Sequence, residues 1–251
     1  MRIAVIGGTG LIGTKLVTQL AARGHDVVVA ARATGVNSYT GEGLAAALEG
    51  VETVIDVSNS GYYDERGALD FFYASTLNLL GFGAAAGVAH HLALSVVGTD
   101  RLAASEGGYF VAKAAQEKLI RESGKPFTIV HSTQFFEFAK SIADAATIGH
   151  RVRLSRAFIQ PIAGDDTAAF TAAAALAAPV NGMIEVAGPE RLRLEELVRT
   201  QLQIREDPRE VVADPLARYF GVDLAEDELL PAGDATLAAT TFGDWLGSSQ
   251  A

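Results

Sequence analysis

Residues 3–13 have the sequence IAVIGGTGLIG, in which a short apolar run passes directly into a glycine-rich loop. The run at residues 2–6 is rich in β-branched side chains and is bounded by glycine, as is typical of a buried strand. Residues 11–23 then carry apolar side chains at helical spacing, and Gly24 ends that pattern. A strand, a glycine loop and an amphipathic helix in this order predict the first βα unit of a parallel sheet.

The alternation of strand and helix continues along the chain. We predict further strands at residues 26–31, 53–57, 92–97 and 127–131, and helices at 41–48, 66–86, 109–123 and 135–147. Strands that are apolar throughout are buried on both faces, and their alternation with helices makes them parallel. The sequence therefore predicts an α/β fold with a doubly wound parallel sheet, whose ligands bind outside the carboxyl ends of the strands.

The glycine loop has the spacing of a dinucleotide-binding fingerprint. Gly7, Gly10 and Gly13 fit it, and Gly8 permits an overlapping register. Glycine allows the tight turn, the approach of the backbone to a pyrophosphate and close packing of helix on strand, while the helix directs its N-terminal amides at the phosphates. A tight turn without a ligand is the alternative, but the flanking strand and helix favour a nucleotide. The expected cofactor-binding residues here are Gly7, Thr9, Gly10, Leu11, Ile12 and Gly13, with Val57 and Ser58 after the third strand.

The residue after the second strand bears on the choice of nucleotide. An NAD site carries Asp or Glu there, bonded to the ribose 2′-hydroxyl, but this chain has Arg32. A guanidinium suits a 2′-phosphate because it makes forked, charge-assisted contacts. Thr34 and Ser38 are candidates for additional hydroxyl donors, and a solvated arginine without a ligand is the alternative. The sequence predicts a preference for NADP(H) over NAD(H).

Tyr109 and Lys113 are four residues apart on a predicted helix and so share one face. An ammonium group near a phenol lowers the pKa of the phenol from about 10, which suits proton exchange with a carbonyl oxygen near neutral pH. Ser95, at the end of the fourth strand, is expected to hydrogen-bond the same oxygen, and Lys113 to bind the nicotinamide ribose. A chance pair, with the Lys solvated and the Tyr packed, is the alternative. The position of the pair after the fourth strand favours catalysis, with the hydride coming from the nicotinamide and the proton from Tyr109.

With these motifs the chain resembles the short-chain dehydrogenase/reductase superfamily, in particular its atypical NmrA-like and NAD(P)H-binding members. The resemblance covers the chain to about Asp166. It implies a seven-stranded parallel sheet of the Rossmann type with a small C-terminal substrate lobe, and a homodimer through the two long helices is a possible partner arrangement. The stretch Gln116-Glu117 also looks familial, without a catalytic role. Residue by residue, the resemblance implies a nucleotide loop at Gly7, Gly10 and Gly13, NADP selection by Arg32, and a triad of Ser95, Tyr109 and Lys113.

After about residue 150 the alternation becomes less regular. We expect short strands at residues 152–154, 158–162 and 183–186, and helices at 165–177 and 194–202. Residues 1–150 are assigned to an NAD(P)-binding Rossmann core. Residues 151–251 are assigned to the returning strands and a small substrate-binding lobe within the same domain unit.

Composition excludes several functions. The 251 residues carry a formal net charge of -10 and no cysteine. An acidic surface repels phosphate backbones, so no nucleic acid is expected, and the absence of thiols fits a cytoplasmic protein. His90 and His91 have no further ligand at metal-binding spacing, so no metal is expected. The Ala-rich run 168–180 is too short and too weakly apolar to span a membrane, and residues 1–6 lack the features of a signal peptide.

The sequence indicates a reaction class and leaves the substrate open. Phe135, Phe136 and Tyr62 follow strand ends and are candidates for an apolar wall around a small-molecule substrate, although core packing explains them equally well. We expect an NADP(H)-dependent oxidoreductase of a small carbonyl or quinone, with Tyr109 as proton donor or acceptor. Two alternatives stay open: a non-catalytic NADP(H)-sensing regulator, and an epimerase or dehydratase that uses a bound cofactor.

Overall fold

A computed structural model of the protein describes residues 1–60, 65–104 and 108–248. Within these ranges the chain forms two compact units. The first comprises residues 1–60, 65–95, 108–131 and 167–184, and the second comprises residues 96–104, 132–166 and 185–248. The chain therefore passes between the units several times. The assignment of a cofactor core to residues 1–150 and a substrate lobe to residues 151–251 stays a prediction.

The helices and strands follow in the order that a doubly wound fold requires. The first part of the chain contains β1 (Arg2–Ile6), α1 (Leu11–Ala22), β2 (Asp26–Ala30), α2 (Leu44–Ala47), β3 (Thr53–Asp56), α3 (Glu65–Ala86), β4 (His90–Val96), α4 (Thr99–Ala103), α5 (Gly108–Glu122) and β5 (Phe127–Ser132). The remainder contains α6 (Ala139–Ala145), β6 (Thr147–Ile148), β7 (Arg151–Leu154), β8 (Phe158–Ile159), α7 (Gly164–Leu176), β9 (Gly182–Ala187), β10 (Leu192–Arg193), α8 (Leu194–Ile204), β11 (Glu210–Ala213), β12 (Thr236–Leu237) and α9 (Phe242–Ser248).

Seven strands form the central parallel sheet, in the order β12-β9-β5-β4-β3-β1-β2, which confirms the predicted fold class. Ile6, the last residue of β1, pairs with Ala30 on one side and with Asp56 on the other, so three strands end together. The chain runs from β1 outward to β2 and then back across β1 to β3. The strand order thus reverses beside β1, which is where such sheets bind ligands.

Apolar side chains on both faces of the sheet hold this arrangement together. Ile6 and Val54 pack with Leu44 and Leu79 in one fully buried cluster beneath α2 and α3. Phe72 of α3 packs against Ala112 of α5, so the two long helices of the first unit are in direct contact. Burial of such side chains is the main favourable term in folding and explains why residues 3–6 of β1 are all apolar.

Three differences from the sequence-based expectation have local causes. The helix expected at residues 41–48 is shortened to α2 because Gly41 and Gly43 adopt φ angles of +82° and +74°, which a helix does not permit. The helical stretch expected at 135–147 is divided into a 3-10 turn at Phe136–Phe138 and α6. The short elements α4, β6, β10, β11 and β12 were not predicted, since two to five residues carry too little periodicity to be recognised.

The helices range in length from four residues in α2 to 22 residues in α3. Within the described ranges, none combines the length and the apolar character that crossing a bilayer requires.

Candidate functional site

Two glycines bring the loop after β1 against the turn after β3. Gly7 has a φ angle of +81°, and a Cβ atom there would lie 2.8 Å from the Cα of Ser58. A Cβ on Gly13 would lie 2.1 Å from the carbonyl oxygen of Gly7. The amide of Val57 donates to the carbonyl of Ile6 at 3.0 Å, which joins the two strand ends directly. Only glycine fits at both positions, as the fingerprint predicts.

The N-terminus of α1 has the properties of an anion-binding site. Its N-cap is Gly10, which contributes no capping side chain, and its first turn contains no acidic residue. Thr9, Gly10 and Leu11 are exposed, whereas Ile12 is buried in the core. The positive end of the helix dipole is therefore uncompensated by side chains and accessible, which fits the pyrophosphate of a dinucleotide.

Arg32 begins the 3-10 turn Arg32–Thr34 directly after β2, and its side chain is exposed. Among the residues that the structure describes, its guanidinium makes no hydrogen bond or ion pair. The two expected helper hydroxyls are in other positions. Thr34 Oγ1 lies 2.8 Å and 2.9 Å from the carbonyl oxygens of Val29 and Ala31, and Ser38 is 8% exposed and accepts from Ser75. The hydroxyl of Thr34 therefore bonds to the backbone and that of Ser38 is buried, and their role as additional donors stays a prediction.

Lys113 is buried within the first unit, and its ammonium group is held by neighbouring acceptors. Nζ donates to the carbonyl oxygen of Leu94 at 2.9 Å and to Oε1 of Gln116. The amide nitrogen of Gln116 donates to Oδ2 of Asp56 at 2.9 Å. The other oxygen of Asp56 accepts from the backbone and side chain of Ser58 at 3.0 Å and 2.6 Å. A continuous chain of hydrogen bonds therefore runs from the turn after β3 to Lys113.

Tyr109 lies in the first turn of α5, half-buried, with its ring edge-to-face against Phe72 and Phe110 at 5.9 Å and 5.8 Å between centroids. Its hydroxyl has no hydrogen-bond partner among the described residues. Burial raises the pKa of Tyr109 to about 12, so the predicted lowering was wrong. Burial also lowers the pKa of Lys113 to about 8, against the opposing charges of Asp56 and Glu117. Desolvation is the cause of the Tyr109 shift, and the charge of Lys113 does not contribute the lowering that the sequence suggested.

Ser95, at the end of β4, belongs to a buried cluster that the sequence analysis missed. Its hydroxyl donates to Oε1 of Glu117 at 2.5 Å, and Nε2 of His131 lies 2.9 Å from the same oxygen. The single hydroxyl hydrogen of Ser95 is thereby used, so Ser95 offers lone pairs rather than a donor to any further group. The spacing of Tyr109, Lys113 and Glu117 by four residues was the available signal, because it places Glu117 on the same face of α5.

The three candidate substrate residues have different outcomes. Phe136, in the second unit, is 1% exposed and packs against Phe242 and Trp245 at 5.1 Å and 5.4 Å between ring centroids. It is a core residue beneath α9, so its assignment to a substrate wall was wrong. Phe135 is partly exposed and forms a backbone bridge with Ile162. Tyr62 lies outside the described residues.

Comparisons with known proteins agree with this geometry. Residues 7–177, more than half of the chain, match the model of the NAD(P)H-binding family. A stretch of 151 residues is 26% identical to the photosystem II assembly factor Ycf39 of Synechocystis sp. and covers 55% of this chain and 46% of that protein. The chain thus spans about half the length of this curated relative.

Two solved structures show the same fold. The first is MoeE5 in complex with UDP-glucose and NAD, with a TM-score of 0.74, 17% identity, and coverage of 98% of this chain and 96% of that one. The second is a short-chain dehydrogenase/reductase superfamily protein from Agrobacterium tumefaciens with bound NAD, with a TM-score of 0.68, 16% identity, and coverage of 99% and 96%.

The residues of the first unit fit the cofactor that these comparisons imply. The uncapped N-terminus of α1 and the close contact of Gly7 with Ser58 suit a pyrophosphate. The exposed Arg32, directly after β2, offers a cation for a further phosphate. Which residues bind the nucleotide stays a prediction, because no comparison tests single positions. The family match and the fold together show that the chain belongs to the NAD(P)H-binding family and has the fold of the short-chain dehydrogenase/reductase superfamily.

Proposed function

We propose that this protein is an NADP(H)-dependent oxidoreductase that transfers a hydride between the nicotinamide and a small carbonyl or quinone. The observation that carries the proposal is the arrangement on α5. Tyr109 has a hydroxyl without a partner in the described part of the chain, and Lys113, one turn further, is held in place by Leu94 and Gln116. Burying an ammonium group is costly, so a lysine with a purely structural role would be expected at the surface and not held by buried acceptors.

The proposed preference for NADP(H) rests on Arg32. Its guanidinium is exposed directly after β2, and no acidic residue stands in its 3-10 turn. An arginine in this position attracts a 2′-phosphate. It has no acceptor for the hydrogen of a ribose 2′-hydroxyl, whereas the carboxylate of an NAD site accepts that hydrogen bond. Relatives with bound NAD share the fold alone with this chain, so they carry no argument about the phosphate.

The chemistry assigned to the chain is proton transfer. The bound cofactor supplies the hydride in the reductive direction. As negative charge develops on the substrate oxygen, Tyr109 transfers its hydroxyl proton to that oxygen and becomes a phenolate. The raised pKa of about 12 keeps Tyr109 protonated at neutral pH, and the alkoxide formed from an aldehyde or ketone is still more basic than a phenolate. The ammonium of Lys113 stabilises the phenolate, and a proton from water then restores the phenol.

The decisive experiment follows NADPH oxidation by absorbance with a panel of quinones, aldehydes and ketones, with NADH run in parallel. Wild type is compared with Tyr109→Phe and with the control Tyr73→Phe, since Tyr73 is 49% exposed on α3. We expect Tyr109→Phe to lose turnover about a hundredfold or more while it keeps NADPH affinity, because only the proton donor is removed. Tyr73→Phe should match wild type. Equal rates in Tyr109→Phe and wild type would overturn the role of Tyr109.

A second candidate is an NADP(H)-binding protein without turnover. It is supported by the similarity to Ycf39, whose name describes an assembly factor. Tight NADPH binding with no turnover across the panel would favour this candidate. Cofactor that co-purifies and is regenerated during turnover would instead favour an epimerase or dehydratase.

A further inference from the structure

Gln116 contacts Lys113 and Asp56 contacts Gln116 in the first unit, and neither takes part in the proton transfer described above. Both are 1% exposed, and Lys113 is 2% exposed. Three groups from different elements meet the ammonium: the carbonyl oxygen of Leu94 on β4 at 2.9 Å, Oε1 of Gln116 on α5, and the ring of Phe72 on α3, whose centroid lies 4.6 Å away. The position of Nζ is therefore defined by the protein itself.

We propose that Gln116, oriented by Asp56, is the positioning residue that fixes the ammonium of Lys113 and links it to the turn at Ser58. The role of Lys113 rests on the proposed function, but the link itself is a property of the folded chain. Because Ser58 also borders Gly7 of the nucleotide loop, one hydrogen-bonded chain would hold both the phosphate-binding turn and the lysine of α5.

The direction of each hydrogen bond follows from the acceptor at one end. The carboxylate of Asp56 accepts only, and it takes two donors from Ser58 on Oδ1 and the amide of Gln116 on Oδ2. Gln116 must therefore present its nitrogen to Asp56 and its oxygen to Lys113. If the amide flipped, its nitrogen would face the ammonium of Lys113, a second donor, and its oxygen would face the carboxylate of Asp56, a second acceptor. Asp56 thus fixes an oxygen in front of the lysine.

This arrangement also favours the charged form of Lys113. The charged groups that act on it are Asp56 at the end of β3 and Glu117 on α5, both of which oppose the effect of burial on its pKa. Among the described residues of α3 it meets the ring of Phe72, and from β4 it meets a backbone carbonyl. An acceptor for the ammonium stabilises the protonated form, so loss of Gln116 Oε1 should make Lys113 release its proton at lower pH.

The test measures the titration of Lys113 directly, without any substrate. The chain has five lysines, so protein labelled with carbon-13 at lysine Cε gives few signals, and Lys113→Met identifies the signal of Lys113. We would record the midpoint of its pH titration in wild type, Gln116→Leu, Gln116→Glu and Asp56→Asn. Gln203→Leu, in the exposed part of α8, is the matched control. Circular dichroism would confirm that each variant is folded.

We expect the Lys113 midpoint to fall by about one pH unit in Gln116→Leu and to fall in Asp56→Asn, because an acceptor or a negative charge is lost. It should rise in Gln116→Glu, where a carboxylate replaces the amide, and stay unchanged in Gln203→Leu. An unchanged Lys113 midpoint in Gln116→Leu, Gln116→Glu and Asp56→Asn would overturn the proposal. Since the readout needs neither NADPH nor turnover, failure of the proposed oxidoreductase function would appear separately, in the absorbance assay.

Discussion

Ser95 donates a 2.5 Å hydrogen bond to Oε1 of Glu117, and this carboxylate ties three elements of the first unit together. Ser95 is the penultimate residue of β4, Glu117 lies on α5, and His131 of β5 approaches the same oxygen at 2.9 Å. The side chain of Glu117 is completely buried, and Arg121 lies 3.4 Å from its second oxygen. A buried carboxylate persists only where hydrogen bonds and opposite charge offset its desolvation, so Glu117 is a structural centre of the candidate site.

Removing this carboxylate should destabilise the protein strongly. Glu117→Ala leaves Ser95, His131 and Arg121 without their common partner, and breaking a buried charged pair costs about 3–5 kcal/mol. Urea unfolding at pH 7 would measure the change in the free energy of unfolding. Glu122→Ala is the control on the same helix, because its pair with Lys118 is exposed and spans 3.9 Å. That variant should change stability by no more than about 0.5 kcal/mol, and equal effects of the two variants would contradict the role of Glu117.

The sequence predicted the frame of this site and missed its interior for a physical reason. The βα unit at residues 2–22 was recognisable because periodicity and glycine spacing are local properties. Glu117 shares a helix face with Tyr109, but its partner Ser95 is 22 residues away, and only the folded sheet brings the two together. The pKa of Tyr109 was predicted in the wrong direction for the same reason. The spacing of Tyr109 and Lys113 suggests that a positive charge is near the phenol, but the burial that raises its pKa depends on the whole fold.

The glycine at position 13 can be tested against a glycine in open space. Gly13→Ala places Cβ 2.1 Å from the carbonyl oxygen of Gly7, so α1 must move away from the loop. We expect a loss of about 1–3 kcal/mol in the free energy of unfolding and weaker NADPH binding. In Gly81→Ala on α3, the new Cβ has no heavy atom within 4 Å, and alanine should stabilise the helix by about 0.5–1 kcal/mol. Chemical denaturation of both variants checks the opposite signs, and a stable Gly13→Ala would exclude the close approach.

The cofactor preference should depend on Arg32. Arg32→Glu removes the guanidinium and adds a charge that repels a 2′-phosphate. Because a hydrogen bond to a charged group contributes about 1.5–3 kcal/mol, NADPH affinity should fall roughly 10- to 150-fold while NADH affinity is kept or improved. Fluorescence titration with both nucleotides measures the ratio. The control is Arg23→Glu, an equally large charge change at the exposed C-cap of α1. An unchanged NADPH-to-NADH ratio in Arg32→Glu would remove the basis for NADP(H) preference.

His91 on β4 should make the protein sensitive to mild acid. It is 4% exposed, and its Nε2 has no partner among the described residues. Burial lowers its pKa below the usual 6.5, and the neighbouring His90 acts in the same direction, against the charge of Asp56. Below about pH 6.5 the unfolded chain therefore binds a proton that the folded chain excludes, so the free energy of unfolding falls as the pH falls.

The acid sensitivity of His91 can be separated from that of Glu117 by its pH range. Burial alone would raise the pKa of Glu117, but the hydrogen bonds from His131 and Ser95 outweigh burial and hold the pKa below its usual 4.5. The stability that Glu117 contributes is therefore lost only at a pH below the range in which His91 acts. Urea unfolding between pH 7.5 and 5 should show a slope in wild type, to which His91 contributes up to about 1.4 kcal/mol per pH unit. His91→Leu should reduce this slope, since leucine takes up no proton, and the part that remains comes from His90, whose pKa burial also lowers. Exposed His150→Leu should leave the slope unchanged. If the slopes of wild type and His91→Leu coincide, another group excludes the proton.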